Sequence, residues 1–342
     1  MTTGRTDAGR DNNATPAVRY GIAGVSSIAR KCHVPSFYGT RNARLVAVAS
    51  RSASRARSLA AEHGIPLSFG TYADMLAAPE VDAVIVTLPN SLHAEWTVRA
   101  AESGKHVLCE KPLATSAAEA EAMIAAARHN GVVLMEGFTH RFLPQMDFVL
   151  GAVRHGTVGE TVCVRTELTY TLKDWERDSR ARAELAGGAL MDAGCYCVNT
   201  VRFLMEGEPD EVHGYARMRN GVDATFSGVM RFGERTAIVH ASMEEPFRAC
   251  CEVSGTRGRI LVPDLFFGTE VLVVSDGREN THRFSPVDRF RCQLEHFSRC
   301  VHRGATPRVT VDDSLGNARV LAVLSSAAGL QHCGEHPARR AA

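Results

Sequence analysis

Short, wholly apolar runs alternate with amphipathic stretches along the first part of the chain. Residues 18–23, 45–49, 83–87, 106–109 and 132–135 are dominated by Val, Ile, Leu and Ala. Runs of that length and composition read as strands buried on both faces. Between them, residues 28–37, 52–63, 94–103 and 117–130 have helical spacing. Ser52 stands at a cap position, and Gly104 and Gly131 follow two of the helices, as helix termini prefer. Buried strands separated by helices predict a parallel, doubly wound sheet of the Rossmann type.

Beyond Phe138 the rhythm changes. One helix, 191–204, follows the Gly187-Gly188 pair, and strands then come in close succession at 211–218, 224–232, 236–243, 249–254, 259–262 and 271–275. Tight turns without intervening helices point to a large open, mostly antiparallel sheet. Helices at 288–303 and 311–330 close this second, α+β domain. The expected division is a disordered leader (1–17), a dinucleotide-binding domain (18–137), a substrate-binding and oligomerisation domain (138–330) and a tail (331–342). One face of the open sheet needs a cover, and a second subunit is the expected one.

Composition narrows the function classes. The 342 residues suggest about two domains, and 45% hydrophobic content is ample for two cores. A formal charge of +1 gives no case for nucleic acid or an anionic membrane. No apolar run approaches the roughly 20 residues of a membrane span, and the polar start does not resemble a signal peptide. The ten cysteines are scattered, which fits reduced thiols in the cytoplasm. Cys195-x-Cys197 and Cys250-Cys251 lack the spacing of a zinc site, so no metal is expected.

Candidate chemistry collects where strands end. Glu110-Lys111-Pro112 follows the run 106–109, at the edge where open α/β sheets bind ligands. Only four lysines occur among 39 basic residues, which makes Lys111 conspicuous, although taken alone it reads equally well as a solvated strand end. Between the first strand and the first helix, Gly21-Ile22-Ala23-Gly24-Val25-Ser26-Ser27-Ile28-Ala29 is a degenerate dinucleotide fingerprint. Gly24 suits the tight turn, Ser26 replaces the middle glycine, and the amides near Ser27 and Ile28 face a phosphate. After the second strand, Ser50-Arg51-Ser52 offers no carboxylate for a ribose 2′-OH. An arginine with hydroxyls suits a 2′-phosphate, which favours NADP(H) with NAD(H) as the alternative; the plainer reading of Arg51 is an exposed helix start. Asp192 and Tyr196, four apart, share a helix face. A lysine beside Tyr196 would lower the phenol toward neutrality and make an acid/base pair; alternatively Asp192 caps the helix and Tyr196 packs in an interface.

In order along the chain stand the loop Pro89-Asn90-Ser91-Leu92-His93, Glu110-Lys111-Pro112, Glu136-Gly137-Phe138 with Arg141-Phe142 and Pro144-Gln145, and the Asp192/Tyr196 helix. From Arg19 to Leu330 this set resembles the Gfo/Idh/MocA oxidoreductases, named for glucose–fructose oxidoreductase and inositol dehydrogenase. The resemblance implies that Lys111 contacts the reacting oxygen and that Pro112 lies against the nicotinamide. It implies that Leu88, Pro89, Asn90, His93 and Glu110 belong to the cofactor loops. Tyr196 occupies the acid/base position with Asp192 as its partner. Tyr at that position and no acid after the second strand match the NADP-leaning branch of sugar-nucleotide ketoreductases, aldose dehydrogenases and dihydrodiol dehydrogenases.

The implied activity is hydride transfer between a nicotinamide and a ring secondary alcohol or ketone of a sugar, such as an amino sugar, glycoside or nucleotide sugar in antibiotic biosynthesis. A free aldose or cyclitol dehydrogenase is one alternative, and a non-catalytic NADP-binding regulator is another. A homodimer or homotetramer through the second sheet is also implied. Substrate contacts are expected from Lys111, Arg141, Asp192 and Tyr196. His140 is expected at the pocket mouth, with or without a proton role, and Trp175 either on a sugar face or in a surface loop.

Overall fold

The computed structural model describes residues 17–330; the expected leader, apart from Ala17, and the expected tail lie outside the described residues. Six strands form the first sheet: β1 (Val18–Ala23), β2 (Ala43–Ala49), β3 (Leu67–Phe69), β4 (Ala83–Val86), β5 (His106–Cys109) and β6 (Leu134–Glu136). Their order is β3-β2-β1-β4-β5-β6, and every neighbouring pair is parallel. β4 is buried at all four positions, which explains its unbroken apolar composition. The connections are a π-helical turn at Ala29–His33 leading into α1 (Val34–Ser36), then α2 (Ala53–His63), α3 (Tyr72–Ala77), α4 (His93–Glu102) and α5 (Ala117–His129). Ser116 caps α5 by accepting the Glu119 amide, and Gly64 ends α2 in the left-handed region. β3 and α3 were not anticipated, because three- and six-residue elements are too short for a periodic signal.

After α6 (Pro144–Arg154), eight strands form the second sheet: β7 (Thr161–Thr171), β8 (Glu211–Arg219), β9 (Val222–Phe232), β10 (Arg235–Ser242), β11 (Glu244–Gly255), β12 (Gly258–Val262), β13 (Glu270–Ser275) and β14 (Arg278–Arg283). The order is β14-β13-β12-β11-β7-β10-β9-β8, antiparallel throughout except for β7 against β10. β7 is central to this sheet and is missing from the sequence reading. Its Thr, Arg and Glu residues give it too little apolar contrast.

α7 (Cys195–Met205) packs on β7 and β10, burying Val198, Val201 and Leu204. α8 (Arg289–Arg303) reaches back to the first sheet, where Ser298 and Tyr20 share a 2.7 Å hydrogen bond in the core. α9 (Val311–Ala327) lies against α5, α7 and β8. The other face of the second sheet is open, and Tyr215 (75% exposed), Val229 and Ile238 project into solvent. Among the described residues no helix is long and apolar enough to cross a membrane, and nine cysteines are free thiols.

Candidate active site

Three strand ends of the first sheet build one wall of a cleft. Gly24, after β1, has φ +109°, and a Cβ there would come within 2.9 Å of Thr87 Oγ1 after β4. Only glycine lets these two strand ends touch, at the point where the strand order reverses. Ser26 Oγ accepts the Ala29 amide at 3.2 Å, so the serine caps the turn and keeps its own proton free to donate. Ser27 is exposed and Ile28 half-buried. His93 fixes the next two loops to each other, its ring nitrogens lying 2.8 Å from the carbonyls of Leu88 and Pro112. Asn90 Nδ2 donates to the Ala186 carbonyl at 2.8 Å, tying the Pro89 loop to the opposite wall. Glu110 is buried 2.7 Å from His33 Nε2. Burial opposes its charge, but His33 outweighs it and keeps the carboxyl below its usual range. The pair ties the end of β5 to the helix that follows the glycine turn.

Beyond β2, Ser50 is buried, and its hydroxyl accepts the Ser52 amide at 3.2 Å. Arg51 is exposed, with no acidic partner among the described residues. Arg55, which the sequence did not single out, donates to the Val25 carbonyl at 2.7 Å and holds the glycine turn from the α2 side. A closed turn, free helix amides and an unpaired arginine fit a phosphorylated dinucleotide.

The candidate reacting groups meet between the two sheets. Lys111 Nζ donates to the Asp192 carbonyl at 2.7 Å and to Asp192 Oδ1 at 2.9 Å. The same ammonium lies 4.9 Å from the Tyr196 ring centroid, over its face. Burial works against the charge on Lys111, but the Asp192 carboxylate prevails and holds it well above the usual lysine value. Burial likewise pushes Asp192 up, yet Lys111, Arg180 and a hydrogen bond from Tyr170 bring it below the usual carboxylate range. Tyr170, on β7, donates to the second carboxylate oxygen of Asp192. Its own partner is Arg180, whose guanidinium sits 5.1 Å from the Tyr170 ring and pairs with Asp178. Sequence reasoning missed Tyr170 because it missed β7, and Arg180 because the turn Ser179–Ala181 that carries it is too short for a periodic signal.

Three expectations need correction. The Tyr196 phenol is not lowered toward neutrality: burial raises it and outweighs the pull of Lys111. The cause is an aromatic cage, with Phe138, His140 and Phe266 edge-on to the Tyr196 ring at 5.5, 5.4 and 5.0 Å. His140 is not at a pocket mouth. It is 0% exposed, and burial, with Arg141 and Arg289 nearby, drops its pKa well below the usual value, so it stays neutral. Arg141 is turned into a structural network, bonded to Asp313 at 2.8 Å and Asn199 at 3.2 Å, with its guanidinium 3.8 Å from the Phe203 ring. Trp175 is half-buried, with the Arg219 guanidinium 4.3 Å from its ring. The loop between β12 and β13 adds exposed Phe267 beside Phe266, and Arg289 lies over both rings.

On the open sheet face, ligand atoms of Glu167, His240 and Glu245 fall within 4.8 Å of one another. Protein groups already satisfy them: Arg248 lies 2.9 Å from Glu167, and His240 bonds Glu245 at 2.9 Å and Ser227 at 2.8 Å.

Family models match both parts of the chain: the oxidoreductase family with an NAD-binding Rossmann fold at residues 18–138, and the GFO/IDH/MocA C-terminal domain at 149–261. The D-xylose 1-dehydrogenase (NADP(+)) 2 of Haloferax volcanii is 37% identical over 310 residues, 88% of this chain and 94% of that protein. The crystal structure of an aldose-aldose oxidoreductase from Caulobacter crescentus, complexed with glycerol, superposes with a TM-score of 0.86 at 31% identity, covering 92% of this chain and 98% of that one. A 3-ketoreductase from Actinomadura kijaniata, crystallised with NADP and TDP-benzene, gives 0.86 at 29% identity, over 91% and 98% of the two chains. The chain belongs to the GFO/IDH/MocA oxidoreductase family.

Proposed function

We propose that this protein is an NADP-dependent oxidoreductase acting on a CH–OH or keto carbon of a sugar ring, with Lys111, Tyr196 and Asp192 as its reacting set. The observation that carries the reading is the Lys111 ammonium, fixed by Asp192 and lying over Tyr196 beside the strand ends that fit a dinucleotide. Bound NADP(H) supplies or receives the hydride at C4 of its nicotinamide. Lys111 offers its ammonium to the substrate oxygen where negative charge develops. Tyr196, kept protonated by its aromatic cage, gives its hydroxyl proton to that oxygen in ketone reduction and recovers it in the reverse direction. The phenolate left behind is stabilised by the ammonium over its ring. Asp192 balances the lysine charge, and Tyr170 holds Asp192 in place.

The ring-ketone reading draws support from the 3-ketoreductase relative. A free aldose oxidised at its anomeric carbon is the second reading, favoured by the relative named as a D-xylose 1-dehydrogenase. Arg51, exposed and without an acidic partner among the described residues, supports NADP over NAD. We also propose that a second copy covers the open sheet face at Tyr215, Val229 and Ile238, which light scattering would register as a dimer or tetramer. The free thiols fit a reducing compartment such as the cytoplasm.

The test is a panel of free aldoses, keto sugars and dTDP-linked sugars against both cofactors, followed by nicotinamide absorbance. Turnover of at least one sugar, with NADP preferred by more than a few-fold, is expected. A protein that binds NADPH and turns over no sugar of the panel contradicts the reading.

A further inference from the structure

The Gly187-Gly188 pair opens the helix that carries Asp192 and Tyr196, and a ligand is not what approaches it. A Cβ on Gly188 (φ +113°) would lie 1.9 Å from Asp223 Oδ1, and one on Gly187 would lie 2.3 Å from the Arg180 carbonyl. Asp223, on β9, is 5% exposed and accepts the Leu190 amide at 2.6 Å through its other oxygen. Leu190 is the first residue of the π-helical turn Leu190–Gly194 that contains Asp192 and leads into α7 with Tyr196. The Asp192 amide in turn bonds the Gly188 carbonyl at 3.0 Å. Wide turns of this kind are rare and need outside support.

We propose that Asp223 is a positioning residue: its buried carboxyl, admitted by Gly188, fixes the helix start that presents Asp192 to Lys111 and Tyr196 to the substrate. The inference rests on the reading of Asp192 and Tyr196 as reacting groups. Asp223 lines a cleft of about 330 Å³ that contains none of Lys111, Asp192 and Tyr196. Thr115, Leu190, Met191, Met218 and Ser325 face it there, and it is the one titratable side chain among the residues lining that cleft. Burial raises its carboxyl to about 7, against the Leu190 and Ala189 amides that favour the charge. Above that pH the ionised oxygens grip the positive end of the helix; below it one oxygen carries a proton and the grip weakens.

Two readouts on Asp223→Ala, Asp223→Asn and Gly188→Ala test this. Without substrate, hydrogen exchange over residues 189–196 is expected to speed up in Asp223→Ala and Gly188→Ala, while α2 and NADPH affinity stay at wild-type values. With the sugar that the panel selects, Asp223→Ala is expected to lower kcat by about 10- to 100-fold with little change in KM. Wild-type kcat is expected to rise with pH through about 7, as the Asp223 carboxyl ionises. Asp223→Asn keeps an acceptor and should keep most of the low-pH rate, without that rise. Unchanged exchange at 189–196 in Asp223→Ala, or an equal increase throughout the second sheet, overturns the proposal even if no sugar is turned over. A pH rise preserved in Asp223→Asn overturns it as well.

Discussion

The two walls of the cleft are assembled in different ways. On the Rossmann side, Gly24, Leu88 and Lys111 each follow the end of a parallel strand, so the sheet alone places them in a row. On the other side, Tyr170 comes from β7, Asp192 and Tyr196 from one helix start, Phe266 from the β12–β13 loop, and Asp223 from β9. These residues are brought together only by packing between distant segments. The first wall holds the turn for a phosphate-bearing cofactor; the second sets protonation, holding Tyr196 neutral and Asp192 charged by opposite balances of burial and partners. Precision on the second side depends on supporting residues, and substitutions there should grade away from the reacting atoms.

The largest expected effect is at the tip of that second wall. Tyr196→Phe removes the proposed proton donor and should lower kcat by about 10³-fold, with NADPH affinity unchanged. One layer out, Tyr170→Phe removes a hydrogen bond that keeps Asp192 ionised. The Asp192 carboxyl then titrates at higher pH, so the second loss of kcat, on the acid side of the Asp223 step, should move to higher pH than in the wild type, with a fall of about 10-fold at neutral pH. Equal pH profiles for the two proteins would place Tyr170 outside the network.

On the Rossmann wall the effects should divide the other way. Arg51→Ala should weaken NADP binding by about 10-fold and leave NAD binding and kcat nearly unchanged, read as separate Kd values. The smallest expected effect concerns the brace behind Lys111. Glu136 is buried and accepts the Leu113 amide at 2.7 Å; burial raises its carboxyl to about 8. Because the folded value lies above the unfolded one, its contribution is full at acid pH and fades as pH rises toward about 8. Glu136→Gln should therefore narrow the fall in melting temperature between pH 5 and 9 by a few degrees, roughly.

This contrast also explains what could be read from the sequence. The placement of Lys111, Gly24 and Arg51 just past strand ends was legible because strand, turn and helix follow one another within a few residues. Asp192 and Tyr196 were legible as a pair, four apart on one helix, and the motif set named the family. Tyr170 was not, because an eleven-residue strand with Arg165 and Glu167 on its open face hides its apolar alternation. The protonation of Tyr196 was misjudged for a related reason. The lysine was visible, but the cage of Phe138, His140 and Phe266 exists only after α7, β6 and the β12–β13 loop have packed. Arg141 stands next to that cage in sequence, and its charge is taken by Asp313, 172 residues away.

The most direct measurement uses NADPH carrying deuterium at both C4 positions with the sugar selected by the panel, and locates the label in the product by NMR. The account predicts deuterium on one ring carbon that had been a ketone, at the same position in Tyr196→Phe but far more slowly. Label released to solvent, or product formed with no deuterium on carbon, would contradict it.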